Sequence, residues 1–196
     1  MGWINTRRRN ADRRMQIVLT ADEGIAVAAA AVLQQMRAAQ KGWQGSDHGT
    51  RVTERGAARR MGETINGMMA EYALCKALNV AWEAGVKGLR TGDVSERLFV
   101  RSSDFEEAHL LVTAQEAREF PSADYALMIG AWPHFRFVGW APIADLCRPD
   151  LYRARGERST MDAYWIPQDS SLLRDFASLQ AVVENLRAAT SEAQQT

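Results

Sequence analysis

Apolar positions in the first half of the chain recur at helical spacing, and in the second half they switch to strand alternation. Met15 to Leu19 is a short apolar run that suits an edge strand. Thr20-Ala21-Asp22-Glu23 then reads as a capping box, hydroxyl and carboxylate each covering a free backbone N–H. The alanine-rich segment that follows, to about Gln40, is favoured as helix by propensity alone. Gly42 to Gly49 carries three glycines with Ser46 and Asp47 and is expected to be a loop. A second helical stretch covers about Arg51 to Trp82, with Gly62 and Gly67 as candidate breaks. Within it Leu74, Cys75 and Leu78 form an apolar stripe, and Glu71 lies on that stripe three, four and seven positions earlier. A carboxylate on an apolar face is costly unless it is paired, hydrogen-bonded or bound to a cation, so Glu71 asks for an explanation.

Beyond a glycine-containing loop, Gly85 to Gly92, the period becomes two. Leu98 to Arg101, His109 to Thr113, Tyr125 to Ile129 and Phe135 to Trp140 read as strands. Tyr125 to Ile129 is apolar on both faces, as in a covered central strand. Trp132-Pro133 marks a hairpin turn. Pro142 to Leu146 suits a helical turn, Arg148 to Asp162 is polar and irregular, and Tyr164 to Pro167 is a short aromatic run. Leu172 to about Ala189 forms a closing amphipathic helix. This order predicts an α+β fold, a mixed and mostly antiparallel central sheet with N-terminal helices and a C-terminal helix. Residues 1–14 read as a basic flexible arm, and 15–190 as one domain with a helical part (20–82) and a sheet part (93–167).

Lysine plus arginine balance aspartate plus glutamate at 24 each, which argues against coating nucleic acid by bulk electrostatics. The distribution is uneven. Arg7, Arg8, Arg9, Arg13 and Arg14 crowd the N-terminus, and Arg51, Arg55 and Arg59 recur at helical spacing with Arg60 beside them. That helix face is a candidate phosphate contact, against the plainer reading of a solvated face. No apolar run approaches the roughly 20 residues of a membrane helix, so the expected location is the cytoplasm. Cys75 and Cys147 lack CxxC spacing, and His48, His109 and His134 are scattered, so both thiols read as small buried hydrophobes. Asp104, Glu106 and Glu107 read as a solvated acidic turn.

Metal-dependent phosphodiester hydrolysis needs converging carboxylates and a cation to steady the transition state. Glu71 on a helix, Asp93 at the head of the strands and Arg101 on the next strand could supply such a set. The stretches Ala70-Glu71-Tyr72-Ala73, Gly92-Asp93-Val94, Phe99-Val100-Arg101-Ser102, Tyr125-Ala126-Leu127-Met128, Val138-Gly139-Trp140 and Tyr164-Trp165-Ile166-Pro167-Gln168 resemble a family of small phage and prophage proteins of the PD-(D/E)xK nuclease-like superfamily. The resemblance covers roughly residues 15 to 175. It implies a restriction-endonuclease-like core, a DNA substrate, Mg²⁺ or Mn²⁺ as cofactor, Glu71 as the helical acid, Asp93 as a principal metal ligand, and Arg101 in place of the motif lysine. The chain departs from the pattern at Phe99, where the family places a glutamate. Phenylalanine cannot bind Mg²⁺, and arginine stays protonated, so it can clamp a phosphate but cannot act as a base.

Three accounts of that departure stand at this point. Glu96 restores the second carboxylate from the turn; Glu71 and Asp93 hold a single metal; or the core is kept as a scaffold without cleavage. The functions to weigh are therefore a metal-dependent DNA nuclease and a catalytically inactive relative that binds nucleic acid or a protein partner. A second copy of the chain is a further candidate partner.

Overall fold

The computed structural model describes residues 15–40, 54–83, 94, 97–155 and 161–193. The N-terminal arm, the glycine loop 42–49, Arg51, Asp93 and Glu96 lie outside them. In chain order the elements are β1 (Gln16–Val18), α1 (Ala21–Gln40), α2 (Glu54–Ala77), β2 (Leu98–Ser103), β3 (Leu110–Thr113), α3 (Ala114–Glu119), β4 (Asp124–Ala131), β5 (His134–Pro142), α4 (Ile143–Leu146), β6 (Tyr152–Arg153), β7 (Ala163–Ile166) and α5 (Phe176–Ala193).

The capping box forms as predicted: Thr20 N–H donates to Glu23 Oε2 at 2.7 Å, and Glu23 N–H donates to Thr20 Oγ1 at 3.3 Å. Helix α2 runs unbroken through Gly62 and Gly67, neither of which ends it. It stops instead at Asn79, whose φ of 52° is left-handed, with Val80 N–H donating to Cys75 O and Asn79 N–H to Lys76 O. That is the Schellman arrangement, which satisfies carbonyls that the last turn would leave open.

Strands β1, β5, β4 and β2 form one sheet in that order. The first two pairings are antiparallel, and β2 lies parallel to β4, with Leu98 opposite Asp124 and Arg101 opposite Leu127. A second sheet, absent from the sequence expectation, pairs β3, β7 and β6 antiparallel. The fold is thus α+β with a mixed, mostly antiparallel main sheet.

Strand alternation divides the interior into two cores. Leu98 and Val100 of β2, Ala126 and Met128 of β4, and Phe135 and Phe137 of β5 face the helices, packing with Val27 of α1, Leu74 of α2 and Leu179 of α5. Phe99, Tyr125, Leu127 and Ile129 face the other way, packing with Leu110 and Val112 of β3, Ile166 of β7 and Leu146 of α4. The main sheet is therefore covered on both faces, by long helices on one and by the small sheet and short helices on the other. β4, buried from Asp124 to Ile129, is its centre, as its two-faced apolar run predicted.

Two glycines tie the layers together. Gly130 has φ of 129° and pairs with Phe135, and a Cβ there would lie 2.2 Å from His134 O, so only glycine closes this end of the hairpin. Its carbonyl accepts from Asn66 Nδ2 of α2 at 3.2 Å. A Cβ on Gly24 of α1 would lie 2.4 Å from Trp132 Nε1, so the first turn of α1 sits directly beneath the β4–β5 turn.

Glu23 locks α1 to α2. Its Oε2 accepts from Lys76 Nζ at 2.8 Å as well as from the Thr20 amide, and its Oε1 accepts from Tyr72 Oη at 3.3 Å. The Lys76 ammonium and the Thr20 amide hold the Glu23 carboxyl down from 4.5 to about 2. A depressed carboxyl contributes stability that is complete above about pH 4.5 and is lost as pH falls through about 2. Glu23→Gln is expected to lower stability at pH 7 by about 1–2 kcal/mol, solvent screening keeping the charge contribution modest. Urea unfolding of both proteins at pH 7 and pH 2 checks this: the difference between them should shrink as the pH falls through that window.

Candidate functional site

Of the residues expected to form the site around Glu71 and Asp93, Arg101 leaves β2 on the same side as Phe99. Phe99 is buried in a stack, its ring 5.0 Å from that of Phe120 and 5.3 Å from that of Tyr125, the latter nearly parallel at 16°. The row continues with the Arg101 guanidinium, 5.2 Å above the Tyr125 ring. This is the face turned towards the small sheet.

Arg101 is also held by an acid. Its Nη2 bonds Glu116 Oε1, both side chains about a quarter exposed. Glu116 is fixed in turn by a second capping box that starts α3. Its Oε2 accepts from Thr113 N–H and Thr113 Oγ1 at 2.9 Å each, while its own N–H donates to Thr113 Oγ1 at 3.1 Å. Thus one carboxylate oxygen caps a helix and the other neutralises the arginine. Neither α3 nor Glu116 was expected from the sequence, although Thr113-Ala114-Gln115-Glu116 carries the same four-residue signature that marks α1.

Glu71 lies half-buried on α2, whose Met68, Ala70, Leu74 and Cys75 belong to the core shared with Val100. The helix bearing Glu71 thus packs on one face of the main sheet, and Phe99 and Arg101 project from the other. Glu71 and Arg101 therefore start from opposite faces of the main sheet. Asp93 and Glu96, the other two expected ligands, lie outside the described residues.

The described residues do not fit the acid-x-lysine half of a magnesium site. Position 99 offers no oxygen and is core, and its neighbour on the same face is a cation already paired. Among the described residues, no group of three or more His, Cys, Asp or Glu side chains gathers as metal ligands would.

Of the three arginines expected to contact phosphate, only Arg59 has a described side chain. Its Nε bonds Glu63 Oε1 at 2.7 Å in an exposed i, i+4 pair, the ordinary arrangement of a solvated helix face. Arg55 lies in α2 with its side chain undescribed, and Arg51 lies outside the described residues. The acidic turn is exposed, as read from sequence, and Glu106 Oε1 pairs with Arg136 Nη2 at 2.6 Å.

The one buried charged residue among those described is Asp124, at the head of β4. Burial pushes its carboxyl above the ordinary range, opposed by the charges of Arg97, whose Nη2 lies 3.6 Å from Asp124 Oδ2, and of Arg174. Arg174 is shared with Asp145 at 2.7 Å and lies 5.1 Å above the Trp140 ring. Sequence reasoning passed over Asp124, and the signal was its position, an acid directly abutting a strand apolar on both faces. Cys75 is buried, and burial raises the Cys147 thiol, so neither is a ready nucleophile.

No protein-family model, curated protein or solved structure matches the chain. Among the described residues, no helix is long and apolar enough to cross a membrane.

Proposed function

We propose that this chain is a non-catalytic protein-interaction module carried on a restriction-endonuclease-like core and working in the cytoplasm. The observation that carries the reading is the state of the β2 face where a nuclease would present its acid and lysine. Phe99 is stacked between Phe120 and Tyr125, and Arg101 is neutralised by Glu116. Such a face is built to be packed, and releasing Arg101 to a phosphate would strip Glu116 of its cation. A protein partner is favoured over DNA because net charge is zero and the one described arginine of the basic helix face is already paired. α1 supplies an exposed apolar face of the kind that marks interaction sites.

The test is incubation of wild type and Asp93→Ala with supercoiled and single-stranded DNA in Mg²⁺ or Mn²⁺. Both proteins are expected to leave both substrates intact. Cleavage by wild type that disappears in Asp93→Ala and in chelator would overturn the proposal. It would establish a nuclease using Asp93, with Glu96 as the next residue to change.

A further inference from the structure

Helix α1 has two apolar faces. Gly24, Val27 and Ala31 are buried inward, and Gln35 Nε2 on that side donates to Thr64 Oγ1 of α2 at 2.9 Å. The opposite face is open to solvent: Ile25 is 69% exposed, Met36 55%, Leu33 51% and Val32 37%, with exposed Ala26 and Ala29 between them. Four of the nine exposed large hydrophobics among the described residues fall on this one helix face, so it is a patch and not scatter. Asp22, Ile25, Ala29, Val32 and Met36 follow one another at spacings of three, four, three and four, the seam of a two-helix coiled pair.

We propose that this face is covered by the same face of a second copy, with the two α1 helices antiparallel about a twofold axis. The charges select this occupant and this direction. Asp22 in the first turn and Arg37 near the last are both exposed, and neither has an ion-pair partner among the described residues. A twofold axis between positions 30 and 31 sets Ile25 opposite Met36 and Ala29 opposite Val32. Asp22 then lies within two residues, about 3 Å along the axis, of Arg37 of the second copy, and the pair occurs twice. Parallel helices would set Asp22 against Asp22 and Arg37 against Arg37, and would align the helix dipoles unfavourably. Alanine at positions 26 and 29 lets the backbones approach closely.

The stripe from Ile25 to Met36 is about 17 Å long, which places the contact at the small end of specific interfaces. The dimer is accordingly of roughly micromolar strength. This inference rests on the interaction-module reading, and its test is separable from DNA cleavage.

Sedimentation velocity of the full chain, over about 1 to 200 µM, is expected to show a monomer–dimer equilibrium of that strength. Val32→Glu, at an exposed position that the fold tolerates, should weaken the dimer at least about tenfold. Asp22→Arg should weaken it by about threefold to tenfold, and adding Arg37→Asp to the same chain should restore it. A monomer across the whole range, or a dimer indifferent to Val32→Glu and to the charge exchange, would overturn the inference. A monomer that also leaves DNA intact would keep the module reading and assign the α1 face to a different protein, whereas a dimer that cleaves DNA would do the reverse.

Discussion

Phe99→Glu is expected to unfold the protein, although it would place an acid two residues before Arg101, the acid-x-cation spacing of a metal-dependent nuclease. Phe99 is 7% exposed and touches rings on both sides, so removing the phenyl group alone costs about 3–5 kcal/mol. A carboxylate in its place would be buried among Leu110, Tyr125 and Leu127, and its natural counter-ion Arg101 is committed to Glu116. An unpaired buried polar group adds a few kcal/mol more. The sum, at least about 5 kcal/mol, is comparable with the whole stability of an ordinary domain. Phe99→Leu keeps the site apolar and should cost only about 1–2 kcal/mol. Circular-dichroism melts of the two variants separate these outcomes. A folded Phe99→Glu protein whose melting temperature rises in Mg²⁺ would contradict this account, because it would mean that position 99 borders a metal site.

The same residue marks how far the sequence reaches. Alternation puts Phe99 and Arg101 on one side of their strand, since period two is a local property of extended chain. Which side that is depends on where α2 packs, and this is decided by the parallel pairing of β2 with β4 across an intervening stretch of 20 residues. The local signals were legible: the Thr20–Glu23 cap, the edge strand at Ile17, the two-faced apolar run of β4 and the turn at Trp132-Pro133 all form. The second sheet was not legible, because β7 is only four residues long and its identity as a strand comes from pairing with Leu110 to Thr113 about 50 residues earlier. Glu116 was missed for a different reason. Its capping signature was present, but the helix it starts is six residues long and has no fully buried residue, so no apolar stripe announces it. Glu71 was flagged for lying on an apolar stripe, and half-burial on a core-facing helix is its position in the fold.

Trp140→Ala is expected to release the C-terminal helix from the sheet. The residue owes its direction to a bulge in β5. Phe137 lies opposite Met128 and Gly139 opposite Leu127, so Val138 is an extra residue between them and shifts the alternation that follows. Trp140 is thereby turned to the helical side, 2% exposed, where its Nε1 donates to Ser178 Oγ of α5 at 2.9 Å. Its backbone exchanges two hydrogen bonds with Arg174, at 3.1 and 2.8 Å, and the Arg174 guanidinium covers its ring. Along that edge β1 pairs only with His134 to Arg136, so the Arg174 bridge takes over further along β5. Truncation would leave a cavity between β5 and α5 and remove the cation–π interaction, at a cost of about 3–5 kcal/mol. Trp140→Phe keeps most of the volume and loses the N–H donor, so about 1–2 kcal/mol is expected. The packing and hydrogen bonding that the indole supplies join β5 to α5 and to the Arg174 segment before it. Amide exchange in Trp140→Ala should therefore rise first from Leu173 through α5, while β4, buried on both faces, stays protected. Uniform loss of protection across β4 and α5 together would instead mean that α5 is part of one cooperative unit with the main sheet.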